Sequence, residues 1–121
     1  MTRTRASAKQ AGARFERAIA DYLAQQLDDD RVDRRVKTGA KDRGDIAGLR
    51  VHGQRLVVEI KDCARTKLSA WMNEAHEEAG NDDALTGVVV HKRHGIGDPG
   101  RQWVTMTVDD LVALITGQRN V

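Results

Sequence analysis

Residues 44–61 read GDIAGLRVHGQRLVVEIK, and the fold of the chain is organised around this stretch. Glu59 and Lys61 lie two residues apart in a strand-like run, so their side chains project from the same face. A turn at residues 52–54 would fold the stretch into an antiparallel hairpin and bring Asp45 back toward Glu59. The stretch therefore predicts that two acids and a lysine converge on one spot.

The composition indicates a small protein with one core. The chain has 121 residues and one cysteine, and only 3% of its residues are aromatic. This length suits a single domain, spanning residues 1–121, with a modest core of aliphatic side chains. No apolar run approaches the roughly 20 residues that a membrane span needs, and the N-terminus lacks the apolar region of a secretory signal. We therefore predict a soluble, cytoplasmic protein with no membrane partner.

Charge is distributed unevenly along the chain, although the formal net charge is only +2. Residues 1–67 contain 16 Lys and Arg against 10 acids, a net +6, whereas residues 68–121 contain 4 against 8, a net −4. Basic residues around an acidic site favour a polyanionic substrate, most simply nucleic acid. The alternative is that most of these charges only solvate the surface.

The N-terminal part predicts a basic arm followed by a helix. Residues 1–8 form the arm, and Arg3, Arg5 and the following Lys9 are available for DNA phosphates. Apolar residues at three- and four-residue spacings predict a helix from about residue 7 to 27. Glu16 borders this apolar stripe, where an acid either reaches solvent or points into a site.

The remaining elements follow from alternating and buried-strand patterns. Strands are predicted at residues 32–38, on both arms of the hairpin, and at 85–91 and 102–107, and helices at about 69–79 and 108–116. Ser69 is the expected N-cap of the second helix. Trp71 lies off the apolar stripe of that helix, where it would cover a sheet edge or contact a second subunit. The glycine-rich segment 92–101 is expected to be an exposed, mobile loop.

This order of elements predicts an α/β domain with a five-stranded mixed sheet flanked by helices. The second hairpin strand is strongly hydrophobic and is expected to be central. A helical crossover joins it to the next strand along the chain, which favours parallel pairing of the two strands.

Two carboxylates and a main-chain carbonyl would supply hard oxygen ligands at the hairpin. Asp45, Glu59 and the carbonyl of Ile60 suit Mg²⁺, with Mn²⁺ able to substitute. Such an ion lowers the pKa of a bound water and offsets charge on a scissile phosphate. Lys61 would orient the attacking water or stabilise the transition state, and Glu16 is a further candidate ligand. These residues indicate phosphodiester hydrolysis, but an acid followed by Glu-x-Lys also arises often by chance as a surface charge pair.

Four segments together resemble the PD-(D/E)xK nuclease superfamily and, within it, the archaeal-type (Hjc-like) Holliday junction resolvases. The segments are residues 12–17 (GARFER) at the helix start, 38–39 (TG), 44–46 (GDI) and 58–61 (VEIK). The resemblance covers the first half of the chain, and the second half agrees in the order of its elements. It implies a single restriction-endonuclease-like domain.

By that resemblance, Asp45 and Glu59 are the metal ligands and Lys61 is the catalytic lysine. Glu16 is the essential helix glutamate, and Thr38 supplies a hydroxyl near the scissile phosphate. The family acts as a homodimer that nicks opposing strands of a four-way DNA junction, which implies a location at the nucleoid or in a virus-infected cell. The alternatives are another DNA endonuclease of the same fold, of restriction or repair type, and a catalytically inactive DNA-binding module. The basic residues assigned to DNA binding are Arg3, Arg5, Lys9, Arg14, Arg17, Arg34, Arg35, Lys37, Lys41, Arg43, Arg65 and Lys67.

Overall fold

The computed structural model describes residues 3–37 and 39–119, which form three α-helices and six strands. The helices are α1 (Arg5–Gln26), α2 (Leu68–Asn81) and α3 (Val108–Thr116). The strands are β1 (Asp33–Arg34), β2 (Ile46–Ala47), β3 (Arg50–Val51), β4 (Gln54–Lys61), β5 (Thr86–His91) and β6 (Trp103–Thr105). No helix in these ranges is long and apolar enough to cross a membrane.

The strands form two sheets, which corrects the expected single sheet of five strands. β3, β4, β5 and β6 lie side by side in that order, and β1, shorter than expected, pairs with β2 in a separate sheet. The first hairpin arm breaks at Gly48, which has a φ of +87° and packs so closely that a Cβ would lie 2.3 Å from the Arg31 carbonyl oxygen. Glycine adopts this conformation without strain, so the arm turns there and splits into β2 and β3.

The predicted hairpin is present, with its turn at His52 and Gly53. Both residues have positive φ, 53° and 72°, as a type I′ turn requires. β3 pairs antiparallel with β4. The residues before β3 also run alongside β4, because the N–H of Asp45 donates to the Val58 carbonyl at 3.0 Å. The hairpin therefore brings residue 45 back to the second half of β4, as the sequence predicted.

β4 is central, and different helices cover its two faces. It lies between β3 and β5 and pairs in parallel with β5, which confirms the pairing predicted from the crossover. Val58 and Ile60 belong to the main core together with Phe15 of α1. Val57 packs with Ala79 of α2 on the opposite face. Because side chains alternate along a strand, positions 59 and 61 face α2 as well.

Trp71 is buried inside the chain, which corrects its expected place at a sheet edge or a subunit contact. It packs with Met72, Ala75 and Val89, and its ring centroid lies 5.5 Å from that of His91. α2 is therefore rotated so that both residues 71 and 72 face the sheet.

The ends of α1 and α2 differ from the predicted ones. α1 starts at Arg5, within the expected basic arm, with the Thr4 side chain as its N-cap. Ser69 lies inside α2 and does not cap it. α3 has the predicted bounds and begins with a capping box between Thr107 and Asp110.

The segment 92–101 links β5 to β6, which pair antiparallel. It contains a 3₁₀ turn at Pro99–Arg101. The Nζ of Lys92 donates to the Ile96 carbonyl, and the N–H of Arg93 donates to Gln102 Oε1 at 2.6 Å. Internal hydrogen bonds therefore connect the two ends of this loop.

Candidate active site

Asp45 is buried against the second half of β4. Its Oδ2 accepts the N–H of Ile60 at 2.7 Å. Gly44, just before it, has a φ of +92°, and a Cβ there would lie 3.2 Å from the Val58 carbonyl oxygen. A side chain at position 44 would push the loop off the strand, so glycine is needed for this close approach. The hairpin in this way fixes the Asp45 carboxylate beside Glu59.

Glu59 and Lys61 project from the same face of β4, as predicted. Glu59 is only 4% exposed, its Oε2 lies 3.5 Å from Lys61 Nζ, and its carboxyl lies beside that of Asp45. Its buried Oε1 has no hydrogen-bond partner within the described residues. Burial, reinforced by the neighbouring Asp45 carboxylate, raises the pKa of Glu59 to about 11. Glu59 is therefore protonated at neutral pH unless a cation compensates its charge.

Helix α2 adds two acids that the sequence motifs do not include. Glu74 Oε2 accepts a hydrogen bond from Lys61 Nζ at 2.9 Å. Glu78 is only 3% exposed and lies beside Glu59. Burial and neighbouring acids raise the pKa of Glu78 to about 7. The signal that could have identified it is its spacing, because it follows the buried Ala75 by three residues on one helix face.

The two lysines at the site remain cations. Burial alone lowers the pKa of Lys61, but the hydrogen bond to Glu74 and the charge of Glu59 outweigh it and raise that pKa. Burial lowers the pKa of Lys37 too, but the charges of Asp45 and Asp42 together outweigh it and raise that pKa. The Lys37 Nζ lies 3.4 Å from Asp45 Oδ1. Both lysines therefore supply positive charge and hydrogen-bond donors, and neither is suited to act as a base.

Glu16 approaches the site from α1. Its Oε1 lies 3.4 Å from Arg34 Nη2. Burial raises the pKa of Glu16, and the negative charge of Asp45 adds to the effect. The structure gathers four of the five predicted catalytic residues around one place: Glu16, Asp45, Glu59 and Lys61. Thr38, the fifth, lies outside the described residues.

The donor set fits a hard divalent cation. Asp45 and Glu59 offer adjacent carboxylates, and the unpartnered Glu59 Oε1 is an oxygen of the kind that Mg²⁺ binds. Across residues 3–37 and 39–119, no group of three or more His, Cys, Asp or Glu side chains is placed so that it could hold a metal ion. Ligation by the Ile60 carbonyl and by Glu16 stays a prediction.

The predicted DNA-binding residues divide into paired and unpaired cations. Ion pairs with acids of the chain engage five of them: Arg3, Arg17, Arg34, Arg35 and Lys37. Seven are exposed and form no ion pair in the part of the chain that the structure describes: Arg5, Lys9, Arg14, Lys41, Arg43, Arg65 and Lys67. Residues 35–37 and 39–43, with four of the twelve cations, line a groove of about 160 Å³ next to Asp45. This groove suits an anionic ligand.

Comparisons of the chain with protein-family models, with curated proteins and with solved structures each found no match. The α/β class is established by the mixed four-stranded sheet, its accompanying two-stranded sheet and the helices. The finer class of protein is therefore inferred from the motifs and the geometry of the site alone.

Proposed function

We propose that this chain is a divalent-cation-dependent endodeoxyribonuclease of the PD-(D/E)xK class, with a restriction-endonuclease-like domain. The observation that supports it most is the convergence of Asp45, Glu59 and Lys61, with both acids buried side by side. Burying two adjacent acids costs stability, and phosphodiester hydrolysis gives a reason to keep them. Within that class we propose a Holliday junction resolvase, because residues 12–17, 38–39, 44–46 and 58–61 together resemble that family.

The residues of the chain have separate roles in this proposal. A divalent ion held by Asp45 and Glu59 supplies positive charge against the scissile phosphate when it is bound. Lys61, kept cationic, donates hydrogen bonds to a phosphate oxygen or to the attacking water and stabilises the negative charge that develops. Glu74 accepts from Lys61 and holds its ammonium group in place. Glu16 orients a water on the α1 side of Asp45.

DNA is the substrate that the surrounding charge favours. Cations without an acidic partner gain most from phosphate, because binding releases counterions and disrupts no ion pair. Seven of the twelve predicted DNA-binding residues are of this kind among the described residues. Lys41 and Arg43 line the groove beside Asp45, so we propose that they position the scissile strand.

Paired nicking of a junction needs two active sites, so we propose a homodimer. α3 exposes aliphatic side chains at the spacing of one helix face, and they are Val108, Leu111, Val112 and Ile115. We call this surface the α3 stripe. Contiguous exposed apolar surface is typical of protein interfaces. Pairing of the α3 stripe with its copy would bury both across a two-fold axis and leave one site on each protomer.

The test is cleavage of defined DNA substrates. Purified protein with Mg²⁺ is incubated with labelled four-way junction, plain duplex, flap and single-stranded DNA, and the products are mapped on denaturing gels. We expect symmetric nicks in the junction alone. Glu59→Ala should abolish cleavage and leave junction binding largely intact, whereas Glu77→Ala, which removes an exposed glutamate of α2, should cut as the parent does.

Each other outcome selects an alternative. Equal cutting of duplex would indicate a restriction- or repair-type nuclease of the same fold. Binding of the junction without cutting by the parent protein would indicate an inactive DNA-binding module. Normal cutting by Glu59→Ala would show that the proposed site is wrong.

A further inference from the structure

Glu78 is a buried acid that has no role in the proposed reaction as described above. It lies on the inner face of α2, is 3% exposed, and its buried Oε1 has no hydrogen-bond partner within residues 3–37 and 39–119. A buried carboxyl oxygen without a partner loses its hydration and regains nothing from the protein. An acid in this position therefore needs a function or a ligand that compensates the cost.

The surroundings of Glu78 are acidic, and the nearby lysines are engaged elsewhere. Glu59, Asp42 and Asp45 are all close enough to act on its carboxyl. Lys61 pairs with Glu59 and with an exposed acid of α2, Glu74, while Lys37 pairs with Asp42 and Asp45. In the described part of the chain, no ion pair reaches Glu78 itself. The cluster thus has more carboxylates than ammonium groups.

Glu78 is also accessible to a small ion. It lines a groove of about 390 Å³ that runs between α2 and the loop at residues 40–42. Asn81 fixes one end of this groove, because its Nδ2 donates to the Asp42 carbonyl at 2.8 Å. A hydrated cation therefore has a route from solvent to the carboxyl of Glu78 that does not cross the core.

We propose that Glu78 is a third carboxylate ligand of the divalent-cation site, so that α2 contributes to the site together with the hairpin. Glu59 Oε1 and Glu78 Oε1 are both buried without a hydrogen-bond partner among the described residues, and a bound cation would supply one to these oxygens. This inference rests on the proposed function, because the ion concerned is the one assigned to Asp45 and Glu59. The competing role for Glu78 is that of a buried acid that serves only as a hydrogen-bond partner of Glu59.

Substitution by glutamine separates the two roles. Glutamine has the shape of a protonated glutamic acid and still donates a hydrogen bond, but it cannot supply a carboxylate. Mn²⁺ binding is measured by isothermal titration calorimetry without DNA, on the parent chain, Glu78→Gln and Glu77→Gln. The last variant removes the same charge from the neighbouring exposed position and controls for general attraction of cations to the groove.

We expect Glu78→Gln to weaken Mn²⁺ binding by at least roughly tenfold, since removing even a residue that only hydrogen bonds to a metal ligand lowers metal affinity by that much. Glu77→Gln should bind Mn²⁺ nearly as the parent does. Thermal unfolding adds a second signature, because Glu78→Gln should be at least as stable as the parent in EDTA and gain less stability from Mn²⁺. Should Glu78→Gln fail to fold, Glu78→Asp, which withdraws the carboxylate by one methylene, is expected to lose affinity in the same way.

Two results would overturn the inference, and they are distinguishable. If the parent binds Mn²⁺ and Glu78→Gln binds it equally well, Glu78 is only a hydrogen-bond partner of Glu59 and the proposed nuclease site stands. If the parent binds no Mn²⁺ and cuts no DNA with Mg²⁺, the proposed function fails and the inference fails with it.

Discussion

Burial of Glu59 and Glu78 determines how the site behaves at the scale of single residues. Both acids lie between β4 and α2, with pKa values raised to about 11 and about 7, chiefly by burial. Lys61 shows the opposite balance, since its acidic neighbours keep it charged in spite of burial. Without a divalent ion the fold favours the protonated forms of both acids beside a charged lysine, whereas a bound cation would favour their ionised forms.

We expect stability in the absence of divalent ions to fall as the pH rises from about 5 to 8. The folded pKa values of Glu59 and Glu78 lie above the ordinary value of 4.5, so the fold favours their protonated forms. Their stabilising contribution is complete below pH 4.5 and is lost as the pH rises. For Glu78 the loss extends to about pH 7, and for Glu59 it continues beyond the tested pH range. Thermal unfolding in EDTA at several pH values measures this dependence.

The matched control for this prediction is Glu78→Gln, which should show a shallower fall because it cannot lose that proton. His91 acts in the opposite direction, since burial lowers its pKa and acid pH then favours the unfolded chain. This effect is common to both proteins, so the difference between their slopes isolates Glu78. Identical slopes would contradict the raised pKa of Glu78.

At the scale of elements, local signals predicted the hairpin, and packing decided the rest. The turn at His52 and Gly53 and the alternation along β4 are properties of short segments, so they could be read from the sequence. The break at Gly48 depends on the Arg31 carbonyl, which is distant in sequence and comes close only in the fold. The rotation of α2, which buries Trp71, likewise depends on the sheet beneath it, and the acids at positions 74 and 78 were missed for that reason.

The contact between α2 and β5 gives a prediction at this scale. Gly87 of β5 lies under α2, and a Cβ there would be 2.4 Å from the Ala75 carbonyl oxygen, so Gly87→Ala must push the helix away from the sheet. We expect it to lower the free energy of unfolding by about 1–3 kcal/mol and to weaken the Lys61–Glu74 contact. Denaturant titration gives the stability.

Gly12→Ala is the control for the loss of a glycine. Gly12 lies inside α1, and a Cβ added to it would have no neighbouring atom within 4 Å, so alanine meets no obstacle there. The substitution should raise the free energy of unfolding by about 0.5–1 kcal/mol through helix propensity. A Gly87→Ala variant as stable as the parent would show that α2 can move without cost.

At the scale of the whole molecule, the proposed catalytic surface and the proposed assembly surface belong to different elements. The site is built by α1, the hairpin and α2, whereas the α3 stripe belongs to the last helix, whose inner face is anchored by buried Asp110 and Ala113. Asp110 accepts hydrogen bonds from Thr86 of β5 at 2.5 Å and contacts His76 of α2 at 2.9 Å. The stripe is therefore held on a fixed helix, and a substitution there can change assembly without changing the site.

Ile115→Glu should convert the proposed dimer into folded monomers. Ile115 is 69% exposed, so the substitution leaves the core of the chain intact. In a two-fold interface it removes two buried isoleucines, and the burial of each stabilises the dimer by about 1.5–3 kcal/mol. The dimer should weaken more than roughly a hundredfold.

Light scattering on a sizing column measures the mass of the protein in solution. A second assay uses a plasmid with an extruded cruciform, from which the variant should produce nicked circles where the parent produces linear DNA. Leu27→Glu, at an exposed apolar position after α1, should leave both results unchanged. A parent that stays monomeric with junction DNA would contradict paired nicking, and a dimeric Ile115→Glu would show that the interface lies elsewhere.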